Sequence, residues 1–192
     1  MKRILLISLF VVSLSLLITC ETQPPVTYNY FPNKDQSEWK YIDKINNTEY
    51  VYKLNGTAVH EIYGNVQVLE ITYLGIVYTR YIQLVDEDND GKTDIVIFFY
   101  TLDTDERVEL LRYPVTVGKT WSWKVGELTN NAVVKALETV EVPLGKYYNC
   151  PKIQYSTGGQ VFDVMWYADG VGMIRDALET NYDIQLESYT DP

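Results

Sequence analysis

Four aspartates in one short segment have the spacing of a calcium-binding loop. Residues 86–94 read DEDNDGKTD, so carboxylates occupy loop positions 1, 3, 5 and 9 and a glycine occupies position 6. Ca²⁺ takes about six to eight oxygen ligands at about 2.3–2.6 Å, and alternate side chains of a tight loop can surround such an ion. Gly91 permits the sharp turn. We therefore predict one structural Ca²⁺, held by Asp86, Asp88, Asp90, Asp94 and the backbone carbonyl of Lys92.

The residues after this loop exclude an EF-hand. That motif needs a bidentate glutamate at about position 12 of the loop, where this chain has Ile97 inside an apolar, strand-like run. The segment instead resembles the DxDxDG calcium loops that join two strands in extracellular β proteins, in which an aspartate at position 9 completes the ligand set. The alternative is an ordinary Asp-Gly hairpin turn with solvated acids.

The other reactive residue types are scarce. His60 is the single histidine, and its alternating surroundings predict a plain strand position. Cys150 is interpreted as a small buried hydrophobic residue. A glycosidase needs one carboxyl in an apolar setting and a second about 5–10 Å away, whereas the acids of this chain cluster in polar turns. We therefore predict no catalytic residues and a protein that is not an enzyme.

The N-terminus has the features of an export signal. Lys2 and Arg3 precede an apolar run over residues 4–18, and Thr19-Cys20 follows. The run is shorter than the roughly 20 residues that a membrane-spanning helix needs, which favours a cleaved signal helix over residues 1–19. Ordinary signal cleavage and a retained anchor are the alternatives.

The end of this signal resembles the lipobox of bacterial lipoproteins, in which the cysteine is acylated and becomes the new N-terminus. The resemblance implies that Cys20 is lipidated and that residues 20–29 are a polar spacer. It also implies a location in the bacterial cell envelope, lipid-anchored, on the periplasmic or extracellular face. The membrane, reached through lipidated Cys20, is the first predicted partner.

The chain is strongly acidic. Its formal charge is −10, and removal of Lys2 and Arg3 with the signal would leave −12. A surface of this charge argues against binding to nucleic acid and to anionic lipid. It is compatible with binding a divalent cation.

Residues 30–192 read as a single β domain. The chain has 17 tyrosines, and many valines and isoleucines alternate with polar residues. Asn55-Gly56 predicts a type I′ hairpin turn, Gly158-Gly159 predicts another, and residues 142–146 predict a third. Residues 177–181 are predicted to form a brief helical turn. Further strands are predicted near 66–73, 76–85, 94–101, 107–111, 120–125, 132–141 and 183–188. The expected fold is an all-β antiparallel meander of about a dozen strands that forms a curved sheet, half-barrel or sandwich.

A weak repeat divides this domain into two similar halves, 30–111 and 112–192. Phe31-Pro32 precedes Trp39, and Tyr113-Pro114 precedes Trp121 at the same spacing. Each copy predicts a proline-fixed entry into a strand. The tryptophans are expected to fill the core, and a ligand-stacking surface is the alternative. The set comprises Trp39, Trp121, Trp123 and Trp166.

Three segments, together with the Phe31-Pro32 opening, resemble a family of uncharacterised bacterial lipoproteins. The segments are VGKTW at 117–121, VPLGKY at 142–147 and WYADGVG at 166–172. The resemblance covers most of the chain after the signal. It implies an envelope location and a β fold, and it assigns no catalytic residue.

The sequence alone predicts a non-catalytic interaction or scaffold module on the envelope, with an unknown protein as its partner. The first alternative is a carrier for a lipid or other hydrophobic ligand in a half-barrel cavity, and the second is a secreted hydrolase. The first two differ in one feature. A carrier needs an apolar cavity of at least about 300 Å³, whereas aromatic side chains fill the interior of a scaffold.

Replacing Cys20 tests the predicted anchor. Cys20→Ser removes the thiol that would be acylated, so the protein should leave the membrane fraction or accumulate as an unprocessed precursor. Fractionation with mass measurement of the N-terminal peptide checks this, and Cys150→Ser is the matched control. Unchanged membrane attachment without a lipid on that peptide would contradict the prediction.

Overall fold

The computed structural model describes residues 28–178 and 181–192, and within them it contains twelve antiparallel strands and no helix. The predicted all-β class is therefore confirmed. The strands are β1 (Glu38–Asp43), β2 (Thr48–His60), β3 (Gly64–Tyr73), β4 (Ile76–Val85), β5 (Ile95–Phe99), β6 (Arg107–Arg112), β7 (Thr120–Val125), β8 (Leu128–Val142), β9 (Gly145–Thr157), β10 (Gln160–Ala168), β11 (Gly172–Leu178) and β12 (Tyr182–Thr190).

All twelve strands belong to one sheet in the order β6-β5-β4-β3-β2-β1-β12-β11-β10-β9-β8-β7. Strands β1–β6 and strands β7–β12 each form a meander, and pairing of β1 with β12 joins the two. The sheet curves until its edge strands β6 and β7 approach one another, which makes it nearly closed and barrel-like. This confirms the predicted curved sheet.

Side chains bridge the gap between β6 and β7, where no backbone ladder is found in the described residues. Trp121 Nε1 on β7 donates a hydrogen bond of 2.9 Å to the carbonyl of Glu109, and from β9 the Tyr155 hydroxyl reaches the same edge strand and donates one of 2.6 Å to the carbonyl of Leu110. These bonds satisfy carbonyls of an edge strand that would otherwise be unpaired. We call this line of contact the seam.

Each meander contributes one tryptophan whose indole forms a hydrogen bond with the other meander. Trp39 on β1 donates its indole N–H to the carbonyl of Val171 in the second meander, at 2.6 Å. Trp121 on β7 donates to Glu109 in the first meander. All four tryptophans are between 4% and 7% exposed, which confirms the prediction that they are buried.

Asn55-Gly56 does not form the predicted hairpin. Strand β2 runs unbroken through both residues, and its register with β3 shifts between Leu54 and Thr57, so the pair forms a β-bulge. Gly56 has a φ of 79°, which suits a bulge as well as a turn. Its N–H donates to Asp35 Oδ1 at 2.7 Å, and this contact from outside the hairpin holds the bulge.

The remaining turn predictions have mixed outcomes. Gly158-Gly159 connects β9 to β10, and residues 143–144 connect β8 to β9, as predicted. The helical turn at 177–181 is wrong at its start, because residues 177 and 178 belong to β11. Residues 179–180 lie outside the described part, as do the predicted signal, Cys20 and most of the spacer.

Within residues 28–178 and 181–192, no helix has the length and apolar character needed to cross a bilayer.

Truncating Trp121 tests how much the seam contributes. Trp121→Ala should lower the free energy of unfolding by about 3–5 kcal/mol, because it removes a buried indole. Trp121→Phe keeps an aromatic ring and loses the hydrogen bond to Glu109. Its free energy of unfolding should therefore fall much less, by about 1 kcal/mol in addition to the cost of any repacking. Urea denaturation measures both. An alanine variant as stable as the wild type would show that the indole does not hold the seam.

Candidate functional site

The curved sheet encloses a cavity of about 350 Å³. Such a volume lies at the lower end of the range of about 300–1,000 Å³ that small-molecule sites occupy. Side chains from nine of the twelve strands reach the cavity, and most of them are apolar or aromatic. They include Trp39, Tyr41, Leu69, Ile82, Val108 and Met165.

Exposure of the lining side chains shows where the cavity opens. Tyr100 and Phe162 are 46% and 39% exposed, whereas Tyr155 and Tyr167 are almost completely buried. The cavity therefore has a mouth near Tyr100 and Phe162, and Tyr155 and Tyr167 line its enclosed part. Arg80 belongs to the mouth, since its guanidinium carbon lies 5.5 Å from the centre of the Tyr100 ring.

Two carboxyl groups lie in the wall of this cavity, and we call them the acid pair. Asp163 is on β10 and Asp176 is on β11. Asp176 pairs with Met165, so Asp163 is its diagonal neighbour and the two side chains interact directly. The Tyr182 hydroxyl donates to Asp163 Oδ1 at 3.1 Å. Asp176 is 9% exposed, and its Oδ1 atom is buried without a hydrogen-bond partner.

Burial shifts the protonation of the acid pair. Desolvation raises the pKa of Asp163, and hydrogen bonds from its neighbours oppose that rise. Desolvation and the neighbouring Asp163 raise the pKa of Asp176 well above its ordinary value. Two carboxyls in contact titrate as one unit. The pair therefore retains a proton to a higher pH than solvated aspartates do.

Sequence reasoning missed the acid pair because it assigned the acids to solvated turns, and that assignment is wrong for Asp163 and Asp176. A signal was present, since Asp163 has the same strand parity as Met165 and Tyr167, and all three line the cavity. Strand parity could not predict that Asp176 lies beside Asp163, because their contact depends on the register between two strands.

Three of the four predicted calcium-binding aspartates lie together. Oxygen atoms of Asp86, Asp88 and Asp94 are all within 4.8 Å of one another. Asp90 is outside this cluster, and its carboxylate forms an ion pair with the Lys92 ammonium. The loop is also tightened by backbone donors, because Asp86 accepts hydrogen bonds from the amides of Asp90 and Gly91.

Of the four tryptophans considered for ligand stacking, the structure places Trp39 in the cavity wall. Trp121, Trp123 and Trp166 are not among the residues that line it. The indole of Trp39 is held by its bond to Val171 and stacks on Tyr189, with ring centres 5.4 Å apart. Of the four tryptophans, only Trp39 is therefore positioned to contact a ligand in the cavity.

His60 and Cys150 have structural surroundings. His60 Nδ1 accepts hydrogen bonds from the amides of Ile62 and Tyr63, so Nε2 carries the proton and donates to the Thr104 carbonyl at 3.1 Å. Cys150 is a buried free thiol, and burial raises its pKa to about 11. Such a thiol has little nucleophilic thiolate at neutral pH. Neither residue lines the cavity.

Comparison of the chain with protein-family models, with curated proteins and with solved structures finds no match. The resemblance to a lipoprotein family consequently stays a prediction.

Proposed function

We propose that this protein is a binding protein or carrier that holds a small, largely apolar ligand inside its barrel-like sheet. The observation that carries the proposal is the cavity of about 350 Å³ with apolar and aromatic walls. A scaffold module would fill this space with its own side chains. The carrier alternative of the sequence analysis is therefore favoured over the scaffold.

The cavity walls are held in place before a ligand arrives. Tyr41 donates its hydroxyl proton to the Met173 carbonyl at 3.0 Å, and Trp39 is bonded to Val171. A fixed wall lowers the entropy that is lost when a ligand binds. Each square ångström of apolar surface removed from water contributes about 25 cal/mol, so a ligand that fills the cavity can bind through apolar contact alone.

A non-catalytic role agrees with the residues around the cavity. Neither the thiol of Cys150 nor the imidazole of His60 reaches it, and the acid pair is in direct contact rather than separated by the distance a glycosidase needs. Together with the predicted lipidation of Cys20, this describes a carrier tethered to the cell envelope.

Filling the cavity tests this proposal. Val108 lines it, so Val108→Trp should place an indole in the ligand space and weaken binding of the fluorescent apolar probe N-phenylnaphthylamine at least about tenfold, equivalent to about 1.4 kcal/mol. Val117→Trp is the matched control, because Val117 is exposed and away from the cavity. Fluorescence titration measures both affinities.

Two results would contradict the carrier. One is a wild-type protein that does not bind the probe, and the other is a folded Val108→Trp variant that binds it with unchanged affinity. Native mass spectrometry of protein extracted from its own membrane gives an independent readout, because a carrier should retain bound ligand mass.

We further propose that the loop between β4 and β5 binds one structural Ca²⁺. The clustering of Asp86, Asp88 and Asp94 supports this, and the carbonyl of Lys92 is proposed as a further ligand. Asp90 would join them only by leaving its ion pair with Lys92. The ion would fix the connection between two strands whose side chains reach the cavity.

Calcium should raise the melting midpoint of the wild type. An ion that binds only the folded state stabilises it by about 1 kcal/mol when its free concentration is about five times the dissociation constant. That condition is met at a few millimolar Ca²⁺ for extracellular sites of about 10⁻⁴–10⁻³ M. Melting curves with Ca²⁺ and with chelator measure the gain. Asp88→Ala should abolish it, and Asp105→Ala, in another turn, should keep it. A wild type indifferent to Ca²⁺ would leave only the hairpin-turn interpretation.

A further inference from the structure

The acid pair is unusual because it faces an apolar cavity without a cationic partner in the described residues. Neither Asp163 nor Asp176 belongs to an ion pair of this part of the chain. The Tyr182 hydroxyl contributes one hydrogen bond, and Asp176 Oδ1 has none. Burying a carboxylate without compensation is costly. The pair is therefore poorly explained by stability and well suited to a ligand that supplies the missing partner.

We propose that Asp163 and Asp176 anchor a protonated amine, so that the ligand of the cavity is an amine with an apolar body. This rests on the proposed binding function, because it names the chemical class that the same cavity accepts. The ammonium would donate to both carboxyls, including the unpartnered Oδ1 of Asp176. The apolar body would lie against side chains such as Leu69 and Ile82.

The ionisable groups that face the acid pair do not neutralise its negative charge. Asp183 on β12 is the nearest further acid, and Arg175 already binds it through a bond of 2.7 Å. The other titratable neighbours are tyrosines, which stay neutral because burial raises the pKa of their phenols. They come from β1, β2, β9, β10, β12 and the residue after β5, and they are Tyr41, Tyr50, Tyr52, Tyr100, Tyr155, Tyr167 and Tyr182.

Tyrosine rings also favour a cation. Their π faces attract an ammonium within about 6 Å, and the cavity combines two carboxyls with aromatic walls. Arg80 is the only basic residue among the described residues that line the cavity, and it lies at the mouth against Tyr78 and Tyr100. The charges are thus arranged for a cation held inside and for repulsion of a second cation at the entrance.

The arrangement fixes the sign of the pH dependence. The free pair holds a proton because its pKa values are raised, and an ammonium favours the charged form, so binding should release a proton. Affinity for the amine should therefore rise with pH through the raised pKa of the pair. It should fall again when the amine itself loses its proton, near the ordinary pKa of about 10.4 for an alkylammonium such as lysine.

The raised pKa values of the acid pair also affect the stability of the folded protein, which falls over the pH range in which the affinity for the amine rises. The pKa of each acid is higher in the folded than in the unfolded protein, so the associated stability is complete below the ordinary pKa and is lost as pH rises through the raised value. Asp163→Asn/Asp176→Asn removes this loss. Its melting midpoint relative to the wild type should therefore increase as pH rises above about 4, which shows independently that the pair is buried.

Three probes with the same phenyl body test the class of ligand. These are phenethylamine, phenethyl alcohol and hydrocinnamate, compared by isothermal titration calorimetry with the full protein. The amine should bind about tenfold to a hundredfold more tightly than the alcohol, as expected for a hydrogen bond to a charged group. The double variant should lose this preference and still bind the alcohol. Asp183→Asn, which removes a neighbouring acid outside the cavity, should keep the preference.

The outcomes separate the two proposals. Equal affinity for amine and alcohol, tightest binding of hydrocinnamate, or an amine preference that survives in the double variant would overturn the amine proposal and leave the carrier intact. Failure of the wild type to bind any of the probes, including N-phenylnaphthylamine, would overturn the carrier and the amine proposal together.

Discussion

The constraint on which this structure depends is the closure of one sheet by twelve strands. A barrel of about eight strands is just wide enough for its own side chains to fill, and a larger number leaves space inside. The strands of this chain carry large aromatic residues inward, yet a cavity of about 350 Å³ persists. The cavity is therefore a result of strand number and curvature rather than of defective packing at any one residue.

Closure also brings together groups that are distant in the sequence. Trp121 reaches Glu109 and Trp39 reaches Val171, so each six-stranded meander is fastened to the other by an indole N–H. Interior positions that alternate along β10 and β11 then place two carboxyls in the same wall. Low polarity around them raises the free energy of their ionised forms. The same low polarity strengthens any interaction with a partner of opposite charge.

Much of the fold could be predicted from the sequence. Alternation of apolar and polar residues located most strands, and Gly158-Gly159 marked a true turn. Asn55-Gly56 misled because a positive φ serves a bulge as well as a hairpin, and the choice depends on Asp35, which lies outside the local sequence. Strand β11 was not recognised because Arg175 and Asp176 interrupt its apolar pattern.

The candidate site was less accessible to sequence reasoning. Spacing within one loop predicted that aspartates would converge, and Asp86, Asp88 and Asp94 do so. The distance between Asp90 and Lys92 depends on rotamers that spacing does not specify. The acid pair required the register of β10 against β11 and the curvature of the entire sheet, neither of which leaves a local signature.

The seam has a consequence for the mechanics of the molecule. Between other neighbouring strands, ladders of backbone hydrogen bonds resist separation together, whereas β6 is joined to the second meander by side-chain bonds from Trp121 on β7 and Tyr155 on β9. Individual side-chain bonds can break one at a time, without disturbing a register. The seam is consequently the weakest line of contact in the sheet. Local opening and unfolding should both begin with separation of β6 from β7.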